Sequence, residues 1–284
     1  MRHIFVLVVL TAQVLILTGC ERSRQRSEKP TSELSELPTP DSCSAEVAST
    51  VVPLEHQALL MAYPDVIKNI EDNKVILFTG EEIVYDDGKE KNHNERLDNC
   101  DVEDMFYQTY SVTDSVPPYL FDPGRTRSDK LFKALYGSTA AEVTRNLVTV
   151  EWFGGNVRFT AVNGAADSLR AVAKELANNT HLEPFLKSSG TFYWRPVRGA
   201  DRLSAHSYGI AFDIGVAKSD YWLWKNGNRN DELARVTYTN RIPLELVKIF
   251  EKHGFIWGGA WYHFDTMHFE FRPELIKYAQ LQNR

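Results

Sequence analysis

The spacing of apolar residues predicts a succession of short helices and strands that begins near residue 50. Leu169, Val172 and Leu176 share one stripe of an amphipathic helix, and two strands are predicted around Gly154 and Gly155. Helical patterns cover 53–70, 102–112, 127–137, 165–179 and 243–254. Strand patterns cover 74–80, 81–90, 147–162 and 265–273, and a tryptophan-rich loop is predicted at 221–230.

Helical and strand patterns interleave along the chain without a regular β-α-β repeat. This order favours an α+β fold with a small, mostly antiparallel sheet flanked by helices. With 284 residues, 43% of them hydrophobic, the chain can bury a substantial core in one large or two small domains.

The amino-terminal segment has the pattern of a secretory signal, with a basic start and an apolar run from Ile4 to Leu17. The run is shorter than the roughly 20 residues that a transmembrane helix needs. The following "LTGC" resembles the lipobox of bacterial lipoproteins, which implies lipidation of Cys20. Glu21 after this cysteine favours, by the same resemblance, an outer-membrane protein that faces the periplasm. Residues 21–45, rich in Ser, Glu, Arg and Pro, are typical of a solvated tether.

The net charge argues against one class of partner, and the cysteine content allows one disulfide. The net charge of −6 argues against a nucleic-acid partner, because such a partner requires a basic face. Cys43 and Cys100 are the two cysteines that remain beside Cys20. An oxidising compartment favours a disulfide between them, and two free thiols remain the alternative.

Two short stretches carry the residues of a metal-dependent hydrolase. His206 and Asp213 lie in the first, at 202–215, and Asp265 and His268 lie in the second. Two imidazoles and one carboxylate form a ligand set of catalytic zinc, and a second, unligated carboxylate is what a general base requires. Taken singly, each residue also fits an ordinary structural role, so the order of the two stretches carries the prediction.

The two stretches closely resemble the zinc D-Ala-D-Ala carboxypeptidases and L-alanyl-D-glutamate endopeptidases of bacterial cell walls, whose fold the hedgehog domains share. The family pattern S-x-H-x-x-G-x-A-x-D appears here as Ser204, His206, Gly209, Ala211 and Asp213. The ending D/E-x-x-H-F-E appears as Asp265, His268, Phe269 and Glu270. The similarity covers roughly residues 120–275.

The resemblance implies a role for each matching residue. Zinc ligands would be His206, Asp213 and His268, and Asp265 would be the base. Arg195 would stabilise the oxyanion and bind substrate, with Arg198 and Arg202 as alternatives nearby. Ser204 is also expected to bind substrate. Trp261, which is not part of the family pattern, is a further candidate for the substrate site.

The resemblance predicts a lipid-anchored zinc peptidase that hydrolyses peptidoglycan stem peptides, most simply as a D-Ala-D-Ala carboxypeptidase. The alternatives are an L-alanyl-D-glutamate or crossbridge endopeptidase, and a non-catalytic cell-wall-binding module on the same fold. No HExxH or G-x-S-x-G motif indicates another hydrolase class. The expected segments are a lipoprotein signal peptide at 1–19, a disordered tether at 20–48, an N-terminal extension at 49–144 and a zinc peptidase domain at 145–284.

Several other histidines and tryptophans receive no catalytic role from the sequence. His263 lies close to Asp265 but does not match the motif, and His253 is interpreted as a helix-end cation. His56, His93 and His181 have no ligand-spaced partner nearby in the sequence. Four tryptophans are candidates for lining a substrate groove: Trp222, Trp224, Trp257 and Trp261. Packing in the core is the alternative for each of them.

Overall fold

The structure is a computed structural model that describes residues 51–284. In this part of the chain the α-helices are α1 Leu54–Ala62, α2 His93–Asp98, α3 Asp129–Tyr136, α4 Ala140–Arg145, α5 Ala165–Leu176, α6 Trp222–Lys225, α7 Leu244–Lys252 and α8 Pro273–Gln282. The strands are β1 Ile67–Glu71, β2 Lys74–Leu77, β3 Glu82–Val84, β4 Leu147–Trp152, β5 Gly155–Thr160, β6 Ser188–Gly190, β7 Ala211–Ile214, β8 Phe255–Trp257 and β9 His268–Phe271.

The strands form three antiparallel sheets, with the orders β1-β2-β3, β4-β5 and β6-β7-β9-β8. The predicted α+β class with small antiparallel sheets and flanking helices is therefore confirmed, and it is consistent with the hedgehog-like peptidase fold. No helix among residues 51–284 is both long and apolar enough to span a membrane.

The register of β7 and β9 separates a core face from a functional face. Phe212 lies opposite Phe269, and Asp213 lies opposite His268. Since successive side chains of a strand point to opposite faces, the two phenylalanines enter the core while Asp213 and His268 share the other face. Phe269 stacks on Phe250 of α7 with ring centroids 4.0 Å apart, which anchors β9 from the core side.

The segments before and after residue 145 contribute to one core. Its buried members run from Ala58 in α1 to Leu275 in α8, and the described residues form a single compact unit. Tyr63, just after α1, donates a hydrogen bond to the buried Glu274 of α8 over 2.6 Å. The boundary expected at 144/145 stays a prediction.

Some predicted helices are wrong in extent. The helix expected over 53–70 ends at Ala62, and the residues from Ile67 onward form β1 instead. Pro64 explains the break, because the residue before a proline is pushed out of the helical region. In 102–112 only Glu103–Phe106 form a turn of 3₁₀-helix. There Asp101 and Asp104 accept hydrogen bonds from each other's backbone N–H, which competes with a longer helix.

Gly215, two residues after Asp213, gives a direct test of the backbone that follows β7. Its φ is +61°, and an added Cβ would lie 2.7 Å from the carbonyl oxygen of Phe185. Gly154, with φ +76° and open space around it, is a matched control. Gly154→Ala should cost about 1–2 kcal/mol in the free energy of unfolding, and Gly215→Ala should cost more. Urea denaturation of both variants measures the difference, and equal losses would contradict the close approach.

Candidate metal centre and active site

Two strands and one turn place the predicted metal ligands together. Asp213 lies on β7, His268 begins β9, and His206 lies in the 3₁₀ turn Ala205–Tyr208 that leads into β7. The Asp213 carboxylate faces both rings, with Oδ2 3.2 Å from His206 Nε2 and Oδ1 2.9 Å from His268 Nδ1. The three ligand atoms lie within 4.8 Å of one another.

The remaining ring nitrogens of the two histidines have partners of their own. His206 Nδ1 lies 2.6 Å from the carbonyl oxygen of Thr191, which must accept the hydrogen bond. His268 Nε2 lies 3.0 Å from Oε1 of Glu270. Metal-binding histidines typically donate their second N–H to a carbonyl or carboxylate in this way. The donor set and its supporting contacts therefore fit a zinc ion held by His206 Nε2, His268 Nδ1 and Asp213.

In the protein without metal, the charged groups of this cluster shift one another's pKa values. Burial favours the neutral form of Asp213, but the two histidines outweigh it and hold the pKa of this carboxyl well below its usual range. Burial likewise opposes charge on His268, yet its bonds to Asp213 and Glu270 raise its pKa to about 10. A bound metal must displace that proton, so metal affinity should rise with pH.

Asp265 lies beside the ligands without pairing to them. Its backbone N–H donates to the Gly258 carbonyl over 3.0 Å, and the backbone N–H of His268 donates to the Asp265 carbonyl over 3.1 Å. A bridge to Tyr221 fixes the same segment. Oδ1 is buried and has no hydrogen-bond partner among the described residues.

The pKa of Asp265 is raised to about 7, chiefly by burial; Asp213 adds to the rise, and His268 and His206 oppose it. A carboxyl that titrates near neutral pH can both accept and return a proton, as general acid-base catalysis requires. Since burial favours its neutral form, ionisation of Asp265 opposes folding increasingly from about pH 4 to about pH 7, and the destabilisation stays constant at higher pH.

Asp265→Asn should therefore raise the melting temperature of the metal-free protein at pH 8. The asparagine keeps the shape of the side chain and removes the buried charge. The gain should shrink as pH falls and vanish below about pH 4, where the aspartate is protonated in both states. Thermal unfolding at several pH values measures it, and a pH-independent difference would contradict the raised pKa.

Comparison with known families agrees with this geometry. Residues 198–271 match the family described as D-alanyl-D-alanine carboxypeptidase. The similarity is limited to this segment of the 284-residue chain. The resemblance predicted from the sequence is confirmed, and it supports a peptidase. A search of curated proteins finds no match to the chain.

The segment that matches the carboxypeptidase family contains all the central site residues predicted from the sequence except one. It includes His206, Asp213, Asp265 and His268, and it begins after Arg195. The assigned roles of the ligands, of the base Asp265 and of Arg195 all stay predictions.

Glu270, whose role the sequence did not indicate, lies buried between two arginines. Arg127 Nη1 is 3.0 Å from Oε1, and Arg272 Nη1 is 3.3 Å from Oε2. Burial would raise the pKa of Glu270, but Arg127, His268 and Arg272 outweigh it and lower the pKa to about 2. The carboxylate thus stays ionised and fixes the orientation of the His268 ring.

Glu270→Gln should weaken metal binding because the amide supports His268 less strongly than a carboxylate does. We expect zinc affinity to fall by roughly 10–100-fold. The free energy of unfolding should also fall, by up to about 5 kcal/mol, because Arg127 and Arg272 lose a buried charged partner. Competition with a chelator and urea denaturation measure the two effects.

Glu245→Gln serves as the control for that substitution. Glu245 pairs over 2.8 Å with His181, and both side chains are exposed. Its replacement should leave zinc affinity and stability nearly unchanged. Equal effects of the two substitutions would contradict a supporting role for Glu270.

The three predicted metal ligands line a cleft of about 460 Å³. The predicted substrate residues Ser204, Arg195 and Trp261 line the same cleft. Arg195 is exposed, and within residues 51–284 its guanidinium donates a hydrogen bond only to the carbonyl oxygen of its neighbour Pro196, over 3.3 Å. Arg198 is also exposed on the cleft, and neither arginine makes an ion pair within residues 51–284. Arg202, the third candidate, is paired with Asp98.

The tryptophans divide between the cleft and the core. Trp261 lies against His268 with ring centroids 5.7 Å apart and donates to the Pro123 carbonyl over 2.7 Å. Trp222 also lines the cleft. Trp257 is buried in the core, and Trp224 is exposed outside the cleft. The groove interpretation thus fits two of the four.

The remaining sequence predictions fall partly outside residues 51–284. Cys20 and Cys43 lie outside the described residues, so lipidation and the Cys43–Cys100 disulfide stay predictions. Cys100 is half-buried, and burial raises the pKa of its thiol. His253 ends α7 and pairs with Glu175 over 3.0 Å. His93, by contrast, was expected to have no ligand-spaced partner, and the structure places it beside Glu232 and His263.

Proposed function

We propose that the protein is a zinc-dependent peptidase that hydrolyses peptidoglycan stem peptides, acting as a D-Ala-D-Ala carboxypeptidase. One observation carries the proposal. A compact set of two histidines and one aspartate, in which each histidine has a further hydrogen-bond contact, lies in the same cleft as Asp265, whose buried Oδ1 has no partner in the described residues. The family match over residues 198–271 supports the peptidase class.

Each residue then has a distinct task. His206, Asp213 and His268 would hold zinc, which when bound supplies a Lewis acid that polarises a carbonyl. Asp265 takes a proton from the attacking water and returns it to the leaving amine. Because Asp265 does not pair with any of the three metal ligands, its carboxylate is free for this proton transfer. Arg195 stabilises negative charge on the carbonyl oxygen.

The charge at the cleft rim supports a substrate that carries a carboxylate. Arg195 and Arg198 are exposed there without an ion pair in the described residues, on a protein of net charge −6. Guanidinium groups bind carboxylates through paired hydrogen bonds. The free carboxylate of a terminal D-alanine is such a group, and it distinguishes a carboxypeptidase from an endopeptidase.

The proposal places the enzyme in the bacterial envelope, anchored by lipid on Cys20 and facing the periplasm. The apolar run Ile4–Leu17 and the following "LTGC" support this location. Peptidoglycan would then lie within reach of a peptidase domain held by the tether. Labelling of Cys20 with a radioactive fatty acid, and loss of the label in Cys20→Ala, tests the anchor.

The products formed from purified muropeptides test the reaction. Protein that begins at Glu21 is loaded with zinc and incubated with pentapeptide monomers, tetrapeptide monomers and crosslinked dimers. Mass spectrometry should show that pentapeptides lose one alanine while tetrapeptides remain intact. Release of the peptide beyond the first L-alanine would instead show an L-alanyl-D-glutamate endopeptidase, and opened dimers would show crossbridge cleavage. Binding of stem peptides without any cleavage would show a binding module.

A further inference from the structure

A second group of metal-type ligands lies beside the cleft, apart from the three ligands already described. It consists of His93, Asp122, Glu232 and His263, which we call the His93 cluster. His93 begins α2, Asp122 and Glu232 lie in loops, and His263 precedes β9. His93, Glu232 and His263 have ligand atoms within 4.8 Å of one another.

The ligand atoms of the His93 cluster lie close to one another. His263 Nδ1 is 2.7 Å from Asp122 Oδ2 and 3.7 Å from Glu232 Oε2. His93 Nε2 is 3.8 Å from both of these carboxylate oxygens. Four ligands around zinc, with bonds of about 2.0–2.2 Å, have their donor atoms roughly 3.3–3.6 Å apart. Most of the observed separations are close to this spacing.

Two ring nitrogens of the His93 cluster have no hydrogen-bond partner in the described residues. The separation of 3.8 Å between His93 Nε2 and the carboxylate oxygens is too long for a hydrogen bond, and this buried nitrogen has no partner in the described residues. His263 has no exposed side-chain surface, and its Nε2 also lacks a partner there. Buried polar atoms without partners are costly, so a bound group that contacts His93 Nε2 would remove one such cost.

The charge balance of the cluster favours a cation. Arg125 donates to both oxygens of Glu232, over 2.7 and 2.9 Å, and lies 3.4 Å from Asp122. Two carboxylates and one guanidinium leave one negative charge when the histidines are neutral. Among these groups, Glu232 Oε1 contacts only Arg125, whereas Oε2 lies near Arg125 and both histidines.

We propose that His93, Asp122, Glu232 and His263 bind a second zinc ion, separate from the one at His206, Asp213 and His268. Imidazole and carboxylate donors suit zinc, and four protein ligands leave no open position, as in structural sites. His93 and Asp122 precede the segment that matches the family, whereas Glu232 and His263 lie within it. The ion would thus fasten residues 93–122 to the catalytic segment.

The zinc content of matched variants tests this site. Zinc is measured by inductively coupled plasma mass spectrometry after dialysis against zinc-free buffer. The parent protein should retain two zinc ions per chain, His93→Ala one, His268→Ala one, and the double variant none. His181→Ala, which replaces an exposed histidine, should retain two. Because His93 is partly exposed, its removal should leave the fold intact.

A second readout separates binding from folding. Zinc should raise the melting temperature of His268→Ala, and the rise should disappear in the double variant. Glu232→Gln should weaken binding of the same ion without deleting a side chain. If the parent holds one zinc ion, which His268→Ala loses and His93→Ala keeps, the second site is overturned. If the parent holds one zinc ion, which His93→Ala loses and His268→Ala keeps, the second site is supported and the proposed catalytic metal centre is contradicted. The failure of either proposal can therefore be told apart from the failure of the other.

Discussion

Asp265→Asn is expected to abolish most peptidase activity while leaving the metal in place. The asparagine has the shape of the aspartate but cannot accept the proton of the attacking water. Loss of a general base is typically worth about 10²- to 10⁴-fold in rate, so kcat should fall by at least that range. KM should change little, because Asp265 is not placed to hold the ground-state substrate.

The control for Asp265 is a second aspartate far from the cleft. Asp167 is exposed in the first turn of α5, and Asp167→Asn should retain full activity. Steady-state kinetics on a stem pentapeptide and zinc analysis of both variants make the comparison. If Asp265→Asn keeps its zinc and cleaves at nearly the parent rate, another group is the base.

His268→Ala is expected to lose one zinc ion per chain and with it the peptidase activity. The substitution removes one ligand and also leaves the Asp213 and Glu270 carboxylates without the imidazole between them. Two remaining ligands bind zinc far more weakly than three, and stability should fall as well because each carboxylate loses one of its buried partners.

His181→Ala is the matched control for His268→Ala, because it removes an exposed histidine whose one ion pair in the described part of the chain is with Glu245. Zinc content, kcat/KM and thermal unfolding should all stay close to the parent values. A His268→Ala variant that retains full zinc content and activity would show that the ligand assignment is wrong.

The central site could be predicted because its residues lie in two short motifs. Alternation along β9 places His268 and Glu270 on one face and Phe269 on the other, and a sequence displays that pattern directly. Gly209 and Gly215, both with positive φ, also stand in or beside the first motif, where the chain turns before and after β7. Local geometry thus determines much of the ligand cluster.

Residues brought in from distant segments were missed. Arg127 contacts Glu270, which lies 143 positions later in the chain, and His93 reaches Glu232 and His263 only through the tertiary fold. Helix α8 was also missed, although Pro273 stands at its first position, where proline favours a helix start. Its buried face is completed by α1, more than 200 residues earlier in the chain, including the contact between Tyr63 and Glu274. Such contacts leave no periodic signal in one sequence.

Zinc reconstitution of the peptidase tests the central claim most directly. Chelated and dialysed protein, shown by elemental analysis to contain no zinc, is titrated with zinc while hydrolysis of stem pentapeptide is followed. The account predicts no hydrolysis before addition, recovery of activity as zinc binds to the parent protein, and no recovery in His268→Ala. Hydrolysis at the parent rate by the verified zinc-free protein would contradict it.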